Sequence, residues 1–204
     1  MRDENTGFAE LTAISNFSFL HGGAHPQEMV HRAAHLGYQA IGLADRNTLA
    51  GVVRGHVAAR EASIRYLPGA RLVTQCDFEA VCYPRDRTAY AALSQCLTRG
   101  NRRAVKGQCL LQMEDLETLA KNSAQCWIVV PPASALNSIE ASTNDGFREK
   151  LMRLVKAGAT TGGHVYLLLA PAYGADDGAH FDRLAALASW AGAPVIAGFN
   201  PLYH

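Results

Sequence analysis

The stretch Gly37–Leu72, GYQAIGLADRNTLAGVVRGHVAAREASIRYLPGARL, decides the fold. Gln39–Ala44 is a short apolar run of strand length that stops at Asp45. The polar elbow Asp45-Arg46-Asn47 follows. Thr48–Ser63 then has helical spacing, which places Leu49, Val52, Val53 and Val57 on one inward face. Arg65–Leu67 predicts a second strand, and Pro68-Gly69 a turn directly after it. A strand, a crossover helix and a second strand make a βαβ unit of a parallel sheet. Side chains at the carboxyl ends of such strands face the functional crevice, which directs attention to Asp45 and Arg71.

The same alternation extends on both sides of this unit. Upstream, Phe8–Ala13 predicts a strand and Ser15-Asn16-Phe17-Ser18 the loop that leaves it. Pro26–Leu36 predicts a helix with Pro26 in its first turn and Gly37 at its end. Downstream, Phe78–Tyr83, Cys126–Val130, His164–Leu169 and Pro194–Ala197 are apolar runs of strand length. Between them lie helical patterns at Arg87–Thr98 (with Asp86 as N-cap), Met113–Asn122, Phe147–Ala157 and Asp177–Ala191. Gly100–Gly107 reads as a basic loop and Ala133–Asp145 as a loop with little helix. Seven strands alternating with helices, without repeat or linker, predict one α/β domain over residues 1–204. Its expected architecture is an irregular parallel (β/α) barrel, with a doubly wound open sheet as the alternative. No Gly-rich phosphate fingerprint follows the first strand, which counts against a nucleotide-binding version.

Composition excludes several classes. At 49% apolar residues the chain can bury a sizeable core, yet no apolar run approaches the ~20 residues that span a bilayer. MRDENTGF carries no apolar signal-peptide segment. Five cysteines without CxxC spacing argue for reduced thiols and a cytoplasmic setting. The net charge of +1 is uninformative, but basic residues concentrate at Arg99, Arg102, Arg103 and Lys106. Such a cluster is a solvated loop, a phosphate-binding patch for DNA, or a contact for a protein partner. No aromatic residue is interleaved to stack on bases.

The segment Phe8–Val53, FAELTAISNFSFLHGGAHPQEMVHRAAHLGYQAIGLADRNTLAGVV, resembles the polymerase-and-histidinol-phosphatase (PHP) domain of bacterial DNA polymerase III alpha subunits. SNFSFL, ADRNTLAGVVR and the later TRGNRRAVKGQC are similar to the error-prone, damage-inducible branch. The resemblance implies a distorted seven-stranded α/β barrel at the N-terminus of a longer polymerase. It also implies a role in DNA replication and repair: translesion synthesis within the SOS response. Partners would be the remainder of the polymerase chain, DNA bound by the full-length enzyme, and other translesion or replisome proteins, with no membrane. Magnesium would serve the full polymerase at carboxylates beyond residue 204.

Active members of that family hold two or three metal ions at the strand ends and hydrolyse phosphoesters. By resemblance, their His-x-His pair falls here on Thr12 and Ile14, and the following Asp on His21. The Asp-His of the second motif is Asp45-Arg46, the acid after the third strand falls on Arg71, and the late Asp-x-His pair on Asn200 and Leu202. Ile14 offers no lone pair, and Arg46 and Arg71 bring permanent positive charge where cations would sit. A catalytic zinc needs at least three protein ligands, whereas only His21 and Asp45 remain as residual candidates. The expectation is therefore a pseudoenzyme, with no catalytic residue, metal or cofactor in this domain and Asp45 either paired with Arg46 or Arg71 or turning the loop through its own backbone hydrogen bonds. The alternative is a metal-dependent phosphoesterase or 3′–5′ proofreading exonuclease with a reduced metal site. His31 and His35 share an i, i+4 spacing that can chelate, but without a third ligand they read as a solvated helix face.

Overall fold

A computed structural model describes residues 7–132, 141–171, 173–174 and 176–203. The chain divides into two units, Met1–Ala70 with Gly198–His204, and Arg71–Ala197. Seven strands follow one another in chain order through the sheet, and the third crosses the boundary between the units.

In the first unit, β1 (Ala9–Ala13) pairs in parallel with β2 (Ala40–Arg46), with an irregularity in register between Glu10 and Ala13. Helix α1 (Pro26–His35) starts where Pro fits an orphan N–H position and Glu28 accepts the His25 N–H at 2.6 Å. Its Met29, Val30 and Ala33 join Ala13, Ile41 and Leu43 in the core, which Ala58 and Ala59 of α2 (Val52–Glu61) complete. The last described residues belong here as well. Phe199 packs its ring 5.3 Å from Phe8, which lies edge-on to Tyr38 at 4.9 Å.

Helix α2 departs from the sequence pattern. Gly55, Ala58 and Ala59 face inward, while Val53 and Val57 are 71% and 50% exposed. Close approach explains the inversion. A Cβ on Gly55 would lie 2.7 Å from the Tyr66 hydroxyl, so the inward face has no room for valines.

Strand β3 (Arg65–Val73) is longer than expected and runs straight through Pro68 and Gly69, so no turn follows Leu67. The fixed φ of proline is compatible with extended backbone. In the second unit the connection Thr74–Phe78, closed by Thr74 N–H to Phe78 carbonyl at 3.0 Å, leads to β4 (Glu79–Pro84). Five residues cannot form a crossover, so no helix separates β3 from β4. β4 then pairs antiparallel with β5 (Gln125–Val130), from Glu79 opposite Val130 to Pro84 opposite Gln125. The α/β class and the seven strands agree with the sequence, but the pairing is not parallel throughout. β6 (His164–Leu169) continues in parallel from β5, and β7 (Val195–Ala197) from β6.

Helices α4 (Met113–Asn122) and α6 (Asp177–Ala191) have the expected bounds, and Gly192 ends α6 at φ 69°. Helix α3 spans Arg87–Arg103 and takes in half of the expected basic loop. Gly100 permits this, because a Cβ there would lie 2.6 Å from the Cys109 Sγ. Helix α5 (Ala141–Ala159) likewise absorbs positions 141–145, while 133–140 lie outside the described residues. Trp127, Phe78, Leu93, Leu116, Leu151 and Leu154 are among the large side chains of this unit's core. Cys82 and Cys96 are buried among them, and burial pushes the Cys96 thiol up to about 11.

Asp86 caps α3 by accepting the Ala89 N–H at 2.7 Å. Replacing Asp86 with Ala is expected to lower unfolding free energy by about 1 kcal/mol in a denaturant titration, and Asp86→Asn to recover most of the loss.

Candidate functional site

The expected metal positions on the first unit gather around the loop that leaves β1. Asp45, 3% exposed near the end of β2, accepts three hydrogen bonds from that loop. Its Oδ1 receives the Ser15 N–H and the Ser18 hydroxyl, both at 2.7 Å, and its Oδ2 receives the Ser15 hydroxyl at 2.8 Å. The Ser18 hydroxyl in turn accepts the Arg46 N–H at 3.0 Å. Gly51, at the start of α2, comes so close that a Cβ there would meet Asp45 Oδ2 at 2.7 Å. The carboxylate thus lies at a helix N-terminus, where the macrodipole favours negative charge.

The remaining positions also make contacts within the fold. Thr12 and Asn200 meet, with the Asn200 N–H donating to the Thr12 Oγ1 at 3.1 Å. Thr12 also donates its N–H and hydroxyl to the Glu10 Oε1 at 2.7 and 2.5 Å, while Glu10 Oε2 accepts the Phe199 N–H at 2.8 Å. Ile14 is buried, and its N–H donates to the Pro201 carbonyl at 3.4 Å. The side chain of Leu202 is exposed, while its carbonyl accepts the Gly23 N–H at 2.8 Å. His21 is exposed and closes a turn onto the Ser18 carbonyl at 2.9 Å. Gly22 completes this turn where no other residue fits, since a Cβ would lie 2.0 Å from the Ser15 carbonyl oxygen.

Arg71 lies in the second unit, inside β3 rather than after it. It is 3% exposed and donates from Nη1 to the Glu79 Oε1 at 2.7 Å. The sequence-based pairing of Asp45 with arginine is therefore corrected: serine donors hold Asp45, and Glu79 balances Arg71. Glu79 meets Arg71, and Glu10 meets the Phe199 N–H, only in the folded chain, so both escaped the sequence reading. Ser15 and Ser18 stood in the quoted loop, but nothing in their spacing marks a carboxylate thirty residues away.

The donor set does not fit a metal. Ile14 supplies only carbon, Arg46 replaces a ligand by a cation, and the oxygens of Asp45 are already occupied by N–H and O–H donors. Among the described residues, no group of three or more His, Cys, Asp or Glu side chains could hold an ion. No hydrolytic step through a metal follows from these residues.

The basic cluster of the second unit is also reorganised. Arg103 donates to Asp115, which simultaneously accepts the Gln112 N–H at 2.9 Å at the start of α4. It therefore joins α3 to α4 and is not part of a freely solvated loop. Arg99, Arg102 and Lys106 are exposed at the end of α3 and beyond it.

Asp45→Ala leaves three donors without their acceptor and is expected to cost about 2–4 kcal/mol in stability. Asp45→Asn retains the Oδ1 acceptor and lets the rotatable Ser15 hydroxyl accept an amide N–H, so it should recover more than half of that. Equal losses in both variants, measured by denaturant unfolding, would restore a requirement for negative charge at this position.

Comparison with known proteins agrees with this architecture. The chain is 40% identical over 211 residues to a Bradyrhizobium sp. protein named error-prone DNA polymerase, and 40% over 202 residues to one of that name from Caulobacter vibrioides. Each alignment covers 97% of this chain but only 17% of the relative, so the chain spans about a sixth of their length. Among solved structures, a Bifidobacterium adolescentis protein assigned by name to the metal-dependent phosphoesterases superposes with TM-score 0.67 at 12% identity, covering 97% of this chain and 89% of that one. A Chromobacterium violaceum amidohydrolase gives 0.62 at 16%, covering 96% and 87%. The PHP domain profile matches residues 10–190. With the fold and the sequence in agreement over nearly its whole length, the chain belongs to the PHP domain family.

Proposed function

We propose that this chain is a catalytically inactive PHP domain, which serves as the N-terminal structural and interaction domain of an error-prone, damage-tolerance DNA polymerase. The observation that carries the reading is the state of the Asp45 carboxylate: serine hydroxyls and a backbone N–H occupy the oxygens that an ion would need. The inherited strand-end geometry then positions a loop rather than a nucleophilic water. Relatives of this name are about six times as long, which supports a role as one domain of a larger enzyme. That enzyme would work in translesion synthesis and use magnesium outside these residues. Among the described residues no helix is long and apolar enough to cross a membrane, in keeping with a cytoplasmic replication protein. The metal-dependent phosphoesterase reading draws on the name of a structural neighbour, but Ile14, Arg46 and Arg71 oppose it.

Elemental analysis of protein purified without added metal is expected to give well under one equivalent of zinc, manganese or iron per chain. Phosphatase and single-strand exonuclease assays with manganese should stay at background. Two tightly held ions per chain, or turnover abolished by Asp45→Asn, would overturn the assignment.

DNA contact by the full-length polymerase falls on the exposed cations, because Arg103 is engaged by Asp115. Arg102→Ala with Lys106→Ala is expected to reduce the salt slope of primer–template binding by about two, with sequence preference unchanged. An unaltered slope would leave these residues as a solvated surface or a protein contact.

A further inference from the structure

Helix α2 presents a face that its own unit does not use. Val53 and Val57 stand one turn apart, so their side chains form a continuous apolar strip on the exposed surface. Neither residue is there for the sake of the helix, because β-branched valine is a poorer helix former than the alanines beside it. Solvent exposure adds a second cost, since each leaves apolar area in water. The core explains the inward glycine and alanines, but it gives no account of valines outside.

The strip is bordered by two arginines and by one acid at the end of the helix. Arg54, His56 and Arg60 are exposed on the same helix, whose first turn carries no acid, and Glu61 at its end is the single acidic residue. Arg54 lies over the Phe17 ring at 5.4 Å, which attaches the loop after β1 to the start of α2. That loop exposes Phe19 and Leu20, at 81% and 87%, and holds Leu20 at φ 63°. A left-handed leucine is uncommon, and the turn bonds from Ser18 and its hydroxyl link to Asp45 keep the segment in place. Two large apolar side chains are thus offered to solvent on a segment tied to the core.

We propose that this α2 face is the docking site for an amphipathic helical segment of the polymerase polypeptide outside residues 1–204, with an apolar stripe flanked by aspartate and glutamate. This rests on the assignment of the chain to a larger polymerase. Relatives devote more than four-fifths of their length to sequence beyond this domain, which supplies the occupant's source. The cationic rim selects the flanks: acids opposite Arg54 and Arg60 are attracted, while a basic or nucleic-acid-binding segment finds its own complement elsewhere. Val53 and Val57 insert into the apolar stripe, as anchors spaced at i, i+4 do in helix-on-helix contacts.

The test uses the full-length polymerase with a photo-activatable benzophenone amino acid at position 57, and in a second protein at position 53. Both positions are exposed, so the probe adds no strain to the core. Irradiation and peptide mapping should find an intramolecular link from both positions to one peptide beyond residue 204 that has apolar residues at helical spacing and acidic flanks. In the same background, Arg54→Glu should lower the yield of that link about fivefold through lost attraction and new repulsion, and Arg54→Lys should preserve it. Links to a second polymerase molecule, to a peptide without acidic flanks, or to none in polymerase that extends primers normally would each overturn the proposal. A yield insensitive to Arg54→Glu would do the same. Metal content is independent of these readouts, so bound ions would refute the inactive-site assignment while leaving the docking result standing.

Discussion

The first unit depends on a buried carboxylate that acts as an acceptor alone. Asp45 gathers a backbone N–H and two hydroxyls from the loop after β1, and it does so beside the N-terminus of α2. Three things are thereby fixed at one point: the end of β2, the exit from β1 and the entry to the crossover helix. Burying an anion is costly, and its hydrogen bonds offset that cost only while all donors are present. The arrangement is consequently all-or-none.

A second clasp has the same character. Glu10 and Thr12 on β1 hold the backbone at Phe199 and Asn200, and Ile14 and Gly23 continue the contact to Pro201 and Leu202. Thr12 and Leu202 each present an acceptor to a main-chain N–H, while Ile14 and Asn200 each donate theirs. Arg71 follows the same logic within the second unit, where its guanidinium is matched by Glu79. A buried pair of this kind contributes little net stability, yet removing either partner strands a charge.

Much of this was legible from the sequence, because hydrophobic periodicity and turn chemistry report local structure. All seven strands were visible as short runs, although β3 was read as ending at Leu67, and α4 and α6 had their bounds from helical spacing. Failures came where a distant neighbour decides. Tyr66 forces small residues onto the inner face of α2, so counting apolar side chains selected the wrong face. Pro68-Gly69 resembles a turn, but flanking strands hold it extended. The five-residue link before β4 reverses a strand whose own residues look like any other buried strand. In the site, the residues at the expected positions could be named from the sequence, whereas their contacts could not. Ser15, Ser18, Glu10 and Glu79 acquire their roles only when strands far apart in sequence are brought together.

The two units differ in how they lie along the chain. The second is one uninterrupted stretch, Arg71–Ala197, while the first is assembled from both sides of it. During synthesis, β1, β2 and their helices emerge first, but Glu10 and Thr12 must wait for Phe199 and Asn200. Translation of the intervening residues takes on the order of ten seconds. Over that interval the N-terminal segment exists with its Phe8 ring uncovered on the Phe199 side and a buried-to-be carboxylate still in water. The first unit can therefore close only after all of Arg71–Ala197 has been made, although its first strands emerge earliest. Ribosomal pausing near the codons for Gly198–Tyr203 would prolong the life of this half-closed species, which makes the C-terminal clasp a point of vulnerability for chaperone capture and proteolysis.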